Sequence, residues 1–151
     1  KYYLNMPASE RPHLVTAKEG TQAHSFSDVP DKAISIINLS SVEELSTKTR
    51  TKIDHGRFRG NIYFKGNKPW QEFNWIGSRL RIGKVIFHVF KRIKRCAATN
   101  VNPFSAIRDI NIPSEIKKHY QHTDLGIYGI VKKGGVISVG DKIELLCNKS
   151  Y

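Results

Sequence analysis

A mainly β fold with a few short helices, curled into a barrel-like core, is the class this sequence predicts. Three observations carry it. The apolar runs are short and several follow a period of two, as in Arg79-Leu80-Arg81-Ile82, the spacing that sends alternate side chains to opposite faces of a strand. Turn-forming residues stand between those runs, at Gly56, Lys65-Gly66-Asn67-Lys68-Pro69, Lys132-Lys133-Gly134-Gly135 and Gly140-Asp141. Helix signals are confined to residues 41–50 and 113–121 and a single turn at 69–74, too little to build a helical core.

Taken in order, residues 1–33 read as an irregular lead-in or the tail of a preceding β domain, punctuated by Pro7, Pro12, Gly20 and Pro30. Residues 34–151 read as the domain proper. The β-branched run 34–39 predicts a buried strand. Ser41-Val42-Glu43-Glu44 predicts a helix start, with Ser41 as cap and Glu44 reaching back, and the helix should end near Arg50. Residues 57–64 predict a strand on which Arg57, Arg59 and Asn61 share one face. A single helical turn over 69–74 carries Trp70 and Phe73. Residues 79–83 alternate charged and apolar side chains, so one face meets a core. Residues 84–93 carry Val85, Phe87 and Val89 on one face and Ile86, His88 and Phe90 on the other, the mark of a central strand. After the helix at 113–121, runs at 126–131, 136–139 and 143–147 predict three strands joined by turns.

At 151 residues the chain is long enough for one domain with a real core. No apolar run approaches the roughly 18 residues of a membrane helix. The net charge of +12 predicts attraction to something anionic, or a solvated lysine-rich surface. Cys96 and Cys147 are the only two cysteines. They have no C-x-x-C partner and no secretory signal precedes them, which argues against structural zinc and against a disulfide. A reducing cytoplasm is the expected compartment.

The candidate chemistry centres on Cys96, which ends an apolar strand among Lys91, Arg92, Lys94 and Arg95. Cations favour a thiolate, the form that attacks electrophiles or binds a soft metal; most free cysteines, however, are small buried hydrophobes. If the strand keeps its period of two, Cys96 shares a face with Lys94, Arg92 and Phe90. Arg57, Arg59 and Asn61 offer guanidinium forks for phosphate or carboxylate, against the simpler reading of a solvated strand edge. His119, His122 and Asp124 fit no common zinc spacing. His13, His24, His55 and His88 show none either. Trp70, Phe73 and Trp75 read as core packing rather than a base-stacking platform, and Cys147 as structural.

Five motifs in order carry a resemblance: Arg57-Phe58-Arg59-Gly60-Asn61; Pro69-Trp70-Gln71-Glu72 running on through Trp75-Ile76-Gly77 to Gly83; Arg95-Cys96-Ala97-Ala98-Thr99-Asn100-Val101-Asn102-Pro103; Gly126-Ile127-Tyr128; and Gly135 to Asp141. From about Ile34 to Leu146 the chain resembles the MOSC domain, the module named for the C-terminal part of molybdenum cofactor sulfurases and found also in amidoxime-reducing components and bacterial stand-alone proteins. The resemblance implies a β-rich barrel-like fold and binding of the molybdenum cofactor, an anionic pterin with a dithiolene and a phosphate. It implies Cys96 as molybdenum ligand and catalytic residue. Arg57, Arg59, Asn61, Arg95, Thr99, Asn100 and Tyr128 are implied as cofactor-binding residues. Asn38 and Ser41 match polar positions at the first helix cap. Where relatives with reductase activity read T-T-V-D-P-x-T-G, this chain has Asn100, Asn102, Phe104 and Ser105, and Lys94 replaces a small polar residue.

The function implied is a molybdenum-dependent oxidoreductase reducing N-hydroxylated substrates, served by an electron-donor protein. Alternatives are a persulfide carrier using Cys96, fed by a sulfur donor, and a basic β-barrel nucleic-acid module, which the absence of an RNP-like aromatic motif disfavours. Pyridoxal phosphate enters only as a wider association of the family.

Overall fold

In a computed structural model the described residues are 32–66 and 68–146. The lead-in with its prolines, His13, His24 and Cys147 lies outside them. All but Lys32 belong to the unit Ala33–Tyr151, one of two into which the chain divides.

The sequence builds β1 (Ala33–Asn38), α1 (Leu39–Thr49), a 3-10 turn at His55–Phe58, β2 (Ile62–Phe64), a 3-10 turn at Gln71–Trp75, β3 (Arg79–Ile82) and β4 (Val85–Lys94). A third 3-10 turn at Ala97–Asn100, α2 (Ile112–Tyr120), β5 (Asp124–Lys133) and β6 (Ile143–Leu146) complete it. The expected mainly β class is what is found. Six strands form one curled sheet in the order β2-β1-β5-β4-β3-β6, parallel only between β1 and β2.

Two apolar clusters flank the sheet. Ile37 joins Val42 and Leu45 of α1, Ile112 and Ile116 of α2, Phe58, Ile93 and Leu125. Ile36 joins Leu80, Phe87, Val89 and Ile127 in the other. Adjacent residues of β1 thus enter opposite clusters, as the pleat requires of a strand buried on both faces.

The β4–β5 ladder departs from strict alternation, and the expectation for Cys96 changes with it. Val89 pairs with Gly129 but Lys91 with Tyr128, so β4 carries an extra residue at that point. Arg92 pairs with Ile127 but Lys94 with Asp124, so the next extra residue lies in β5, at Gly126 with φ +83°. Val89 and Ile93 therefore reach opposite clusters although they are four residues apart. Cys96 follows the strand rather than lying in it, and the shared face with Lys94, Arg92 and Phe90 is not formed.

Other local expectations are corrected too. α1 begins before Ser41. Asn38 is its cap, its side chain accepting from the Ser40 backbone N–H at 3.1 Å, and Ser41 is buried inside the first turn. Residues 57–61 are not strand. Asp54 accepts from the Gly56 N–H at 2.7 Å and winds His55–Phe58 into a 3-10 turn that Arg59 ends at φ 47°. Residues 136–139 do not pair as a strand. Val136 and Val139 are exposed, one backbone bond from Lys84 reaches the Val136 carbonyl, and Asp141 folds back to accept from the Ser138 N–H. Consequently β6 joins the sheet beside β3, not beside β5.

Candidate functional site

Cys96 is exposed and stands immediately before the 3-10 turn Ala97–Asn100. Its carbonyl accepts from both the backbone N–H and the hydroxyl of Thr99, at 3.1 and 2.8 Å. Thr99 is buried. Asn100 accepts through Oδ1 from the Ile112 N–H at 2.9 Å and so joins the loop to the start of α2. These two predicted site residues fix the backbone around the thiol.

Arg95 turns inward. Its Nε donates to the Leu125 carbonyl at 2.8 Å, its Nη2 to the same oxygen, and its Nη1 to the Phe58 carbonyl at 3.1 Å. The guanidinium also lies 5.3 Å from the Phe58 ring. Burial lowers its pKa to about 10, while the neighbouring Tyr128, Tyr63, Cys96 and Asp124 pull in the opposite direction. The Arg95 charge thus lies within electrostatic reach of Tyr128, Tyr63, Cys96 and Asp124. Tyr63 was not singled out from sequence; its hydroxyl accepts from the Gly60 N–H at 2.7 Å and holds the turn that carries Arg59.

Arg57 and Arg59, expected on one face, have different surroundings. Arg57 is 5% exposed. Its Nη1 donates to the Asn100 carbonyl at 3.0 Å and its Nη2 pairs with Asp109 at 2.7 Å, leaving Nε buried without an acceptor among the described residues. Asp109 also accepts from Asn102 Nδ2 at 2.8 Å. The Asn102 bond first, and the Arg57 bond second, hold the Asp109 carboxyl below the usual carboxylate range. Arg59 is exposed, and no hydrogen bond or ion pair engages its guanidinium among the described residues.

Asn61 binds Ser35 of β1: its Oδ1 accepts from the Ser35 N–H at 2.9 Å and the Ser35 hydroxyl at 2.7 Å. Ser35 is in register with Tyr128, and Tyr128 with Lys91. Asn61, Ser35, Tyr128 and Lys91 thus form a row that runs from the start of β2 across β1 and β5 to β4. Tyr128 stacks on Phe90, and the Lys91 ammonium lies 5.7 Å from the Tyr128 ring. Of the other expected cations, Arg92 lies over Phe73 at 4.3 Å instead of joining a free positive field.

Glu72 is the buried group that sequence reasoning passed over. It is fully buried, accepts from Asn38 Nδ2 at 2.8 Å and from the Ser41 hydroxyl at 3.0 Å, and its pKa is raised by burial against those bonds. The glutamate in the Trp70-Gln71-Glu72 motif was the available signal. Trp70 packs with Phe73, Tyr120 and His122, at centroid distances of 5.8, 4.4 and 5.6 Å. That is core-like packing, as expected, rather than a stacking platform. His119 faces Glu115, and His122 accepts from the Asp124 N–H. Among the described residues no three His, Cys, Asp or Glu side chains are grouped to hold a metal ion, and no helix is long and apolar enough to cross a membrane.

The sequence pattern described as the MOSC domain matches residues 21–144. The cattle (Bos taurus) mitochondrial amidoxime reducing component 2 is 30% identical over 122 residues, covering 73% of this chain and 36% of that protein. The rat (Rattus norvegicus) counterpart gives the same identity and coverage. The human (Homo sapiens) mitochondrial amidoxime-reducing component 1 is 28% identical over 123 residues, 74% of this chain and 36% of its own length. The matched segment thus spans a little over a third of these relatives.

Proposed function

The chain belongs to the MOSC domain family, and from that premise we propose that it is a molybdenum-cofactor-binding domain of a reductase acting on N-hydroxylated substrates, with Cys96 as the metal's protein ligand. The observation that carries this reading is an exposed thiol at the head of a loop pinned from beneath, by Arg95 to Leu125 and by Arg57 to Asn100.

The donor set fits the group. One accessible thiol supplies one soft ligand, which suits a metal that arrives with sulfur ligands of its own. Arg59 is an exposed cation, unengaged among the described residues, and Asn61 keeps its amide N–H groups for an acceptor while its oxygen holds Ser35. Together they suit the anionic end of a pterin. Lys91 and Tyr128 border the same row. Arg57, Thr99 and Asn100 act through the loop, fixing where Cys96 stands. Arg95 keeps a positive charge beside the thiol while its N–H groups are held by carbonyls. When bound, the cofactor would supply a metal centre that takes up electrons and delivers them to an N–O group; the protein contributes ligand, orientation and field. The relatives' names place them in mitochondria, and a free thiol at Cys96 suits any reducing compartment.

Expression with cofactor supply, followed by metal analysis of wild type and Cys96→Ser, tests the reading. Molybdenum should accompany wild type in near-stoichiometric amount and be lost in the variant. Wild-type protein without molybdenum overturns it, and sulfane sulfur on Cys96 in its place would make the chain a persulfide carrier.

A further inference from the structure

Behind the cysteine loop, four residues from three separate segments close on one another. Arg57 leaves the 3-10 turn His55–Phe58 and reaches the Asn100 carbonyl at 3.0 Å with one nitrogen and Asp109 at 2.7 Å with another. Asp109 receives Asn102 Nδ2 at 2.8 Å. Asn102 Oδ1 accepts from the N–H groups of Phe104 and Ser105, at 2.9 and 3.3 Å. Its backbone N–H donates to the Ile107 carbonyl at 2.8 Å, and Val101 bridges Arg108. The segment following Cys96 is thereby a closed hairpin, and its base is attached to a buried guanidinium.

We propose that Arg57, Asp109 and Asn102 form a clamp that sets the position and accessibility of Cys96, so that Asp109 and Asn102 are positioning residues for the site. The assignment rests on Cys96 being the functional group, but the clamp is defined by contacts that need no cofactor. Its chemistry is directional. Asp109 has only acceptor oxygens and is shared between two donors, the Arg57 fork and the Asn102 amide. An aspartate at position 102 would set carboxylate against carboxylate at this distance, and a leucine would leave Asp109 with one donor. Thr99 completes the link, because its N–H and hydroxyl tie the turn back to the Cys96 carbonyl.

The test is an exchange of the two side chains. In Asn102→Asp the donor is lost and two carboxylates face each other. The amide protection of Thr99, Val101 and Asn102, measured by hydrogen exchange, should fall about tenfold, the change expected for one net hydrogen bond to a charged group. The alkylation rate of Cys96 by iodoacetamide at fixed pH should change with it. The double variant Asn102→Asp/Asp109→Asn restores one donor and one carboxylate in reversed positions. The amide introduced at position 109 would donate to the carboxylate introduced at position 102, and its oxygen would still accept from Arg57. The exchange should return protection and alkylation to within about twofold of wild type, which a general loss of packing would not allow.

Wild-type protection and alkylation in Asn102→Asp would overturn the clamp. So would a double variant no better than the single one. Circular dichroism and the denaturation midpoints of the single and double variants establish that both comparisons are made on folded protein. Failure of the clamp is distinct from failure of the cofactor reading: a wild type without molybdenum but with the full exchange effect and its rescue would retire only the latter.

Discussion

The Arg95 guanidinium donates through Nε to the carbonyl of Leu125 at 2.8 Å, joining the residue just before Cys96 to the residue just before the bulge at Gly126. The same group holds the Phe58 carbonyl. A residue expected to line the site with positive charge is therefore also the fastening between β4, β5 and the turn at His55–Phe58. Arg95→Met keeps much of the aliphatic volume and removes the donors. It should cost about 2 kcal/mol in urea denaturation, because two carbonyls lose charged partners. Arg95→Lys, which can serve only one of them, should fall between. A Met variant as stable as wild type would count against this fastening.

Gly126 makes that fastening sterically feasible. A Cβ built there would come within 2.6 Å of Ile37 Cδ1, 2.8 Å of the Ile36 carbonyl and 3.2 Å of Arg95 Nη2, at φ +83°. Gly126→Ala should therefore cost about 3 kcal/mol, combining overpacking with left-handed strain. Gly77 is the control: φ is +84° with nothing within 4 Å of the added carbon. Gly77→Ala should cost only about 1 kcal/mol, the strain alone. Equal losses in the two denaturation curves would show that the close approach at Gly126 does not matter.

These two positions also show what the sequence could reveal. Arg79–Ile82 and Val85–Lys94 were legible because a strand's alternation is local, and burial follows it residue by residue through Val89. The bulges were not, since each is a mismatch between β4 and β5, which are separated by the cysteine loop and α2, and only pairing makes it visible. Residues 57–61 read as strand because Phe58, Ile62 and Phe64 keep an even spacing. Asp54 two residues before Gly56 was the competing signal. Cys96 stood out by its neighbours' charge, yet Arg57–Asp109, a contact across 52 residues, had no local trace. Val136 to Val139 has strand composition and no strand pairing among the described residues, a case of tertiary context overriding propensity.

Glu72 gives a pH dependence of defined sign. Its carboxyl is buried between Asn38 and Ser41, and burial raises its pKa above the ordinary 4.5. The folded state then holds a proton that the unfolded state releases. The stability so contributed is fully present below about pH 4.5, and is lost as pH rises through the raised folded value. Glu72→Gln cannot release that proton. The difference in unfolding free energy between wild type and Glu72→Gln should change across this window in favour of the variant as pH rises. A difference that stays flat from about pH 4 to 8 would mean that burial does not govern this group. Glu72→Ala, which strands the Asn38 and Ser41 donors, should be destabilised at every pH by about 3 kcal/mol.

Arg57 and Arg59 are two residues apart and should respond in opposite ways to the same substitution. Arg57 is buried and holds Asn100 and Asp109. Arg57→Gln should lower the denaturation midpoint and loosen the Cys96 loop, because a buried fork loses both partners at once. Arg59 is exposed, with its guanidinium unengaged among the described residues. Arg59→Gln should leave stability within about 0.5 kcal/mol of wild type, as surface changes do. Its effect should fall on the ligand instead. If the anionic end of the cofactor meets Arg59, loss of one charge-assisted contact should weaken retention roughly tenfold, equivalent to about 1.4 kcal/mol. Molybdenum retained after dialysis, compared among wild type, Arg57→Gln and Arg59→Gln, separates the two roles. Retention unchanged in Arg59→Gln would remove that residue from the binding surface and leave Asn61 and Lys91 as the groups to test next.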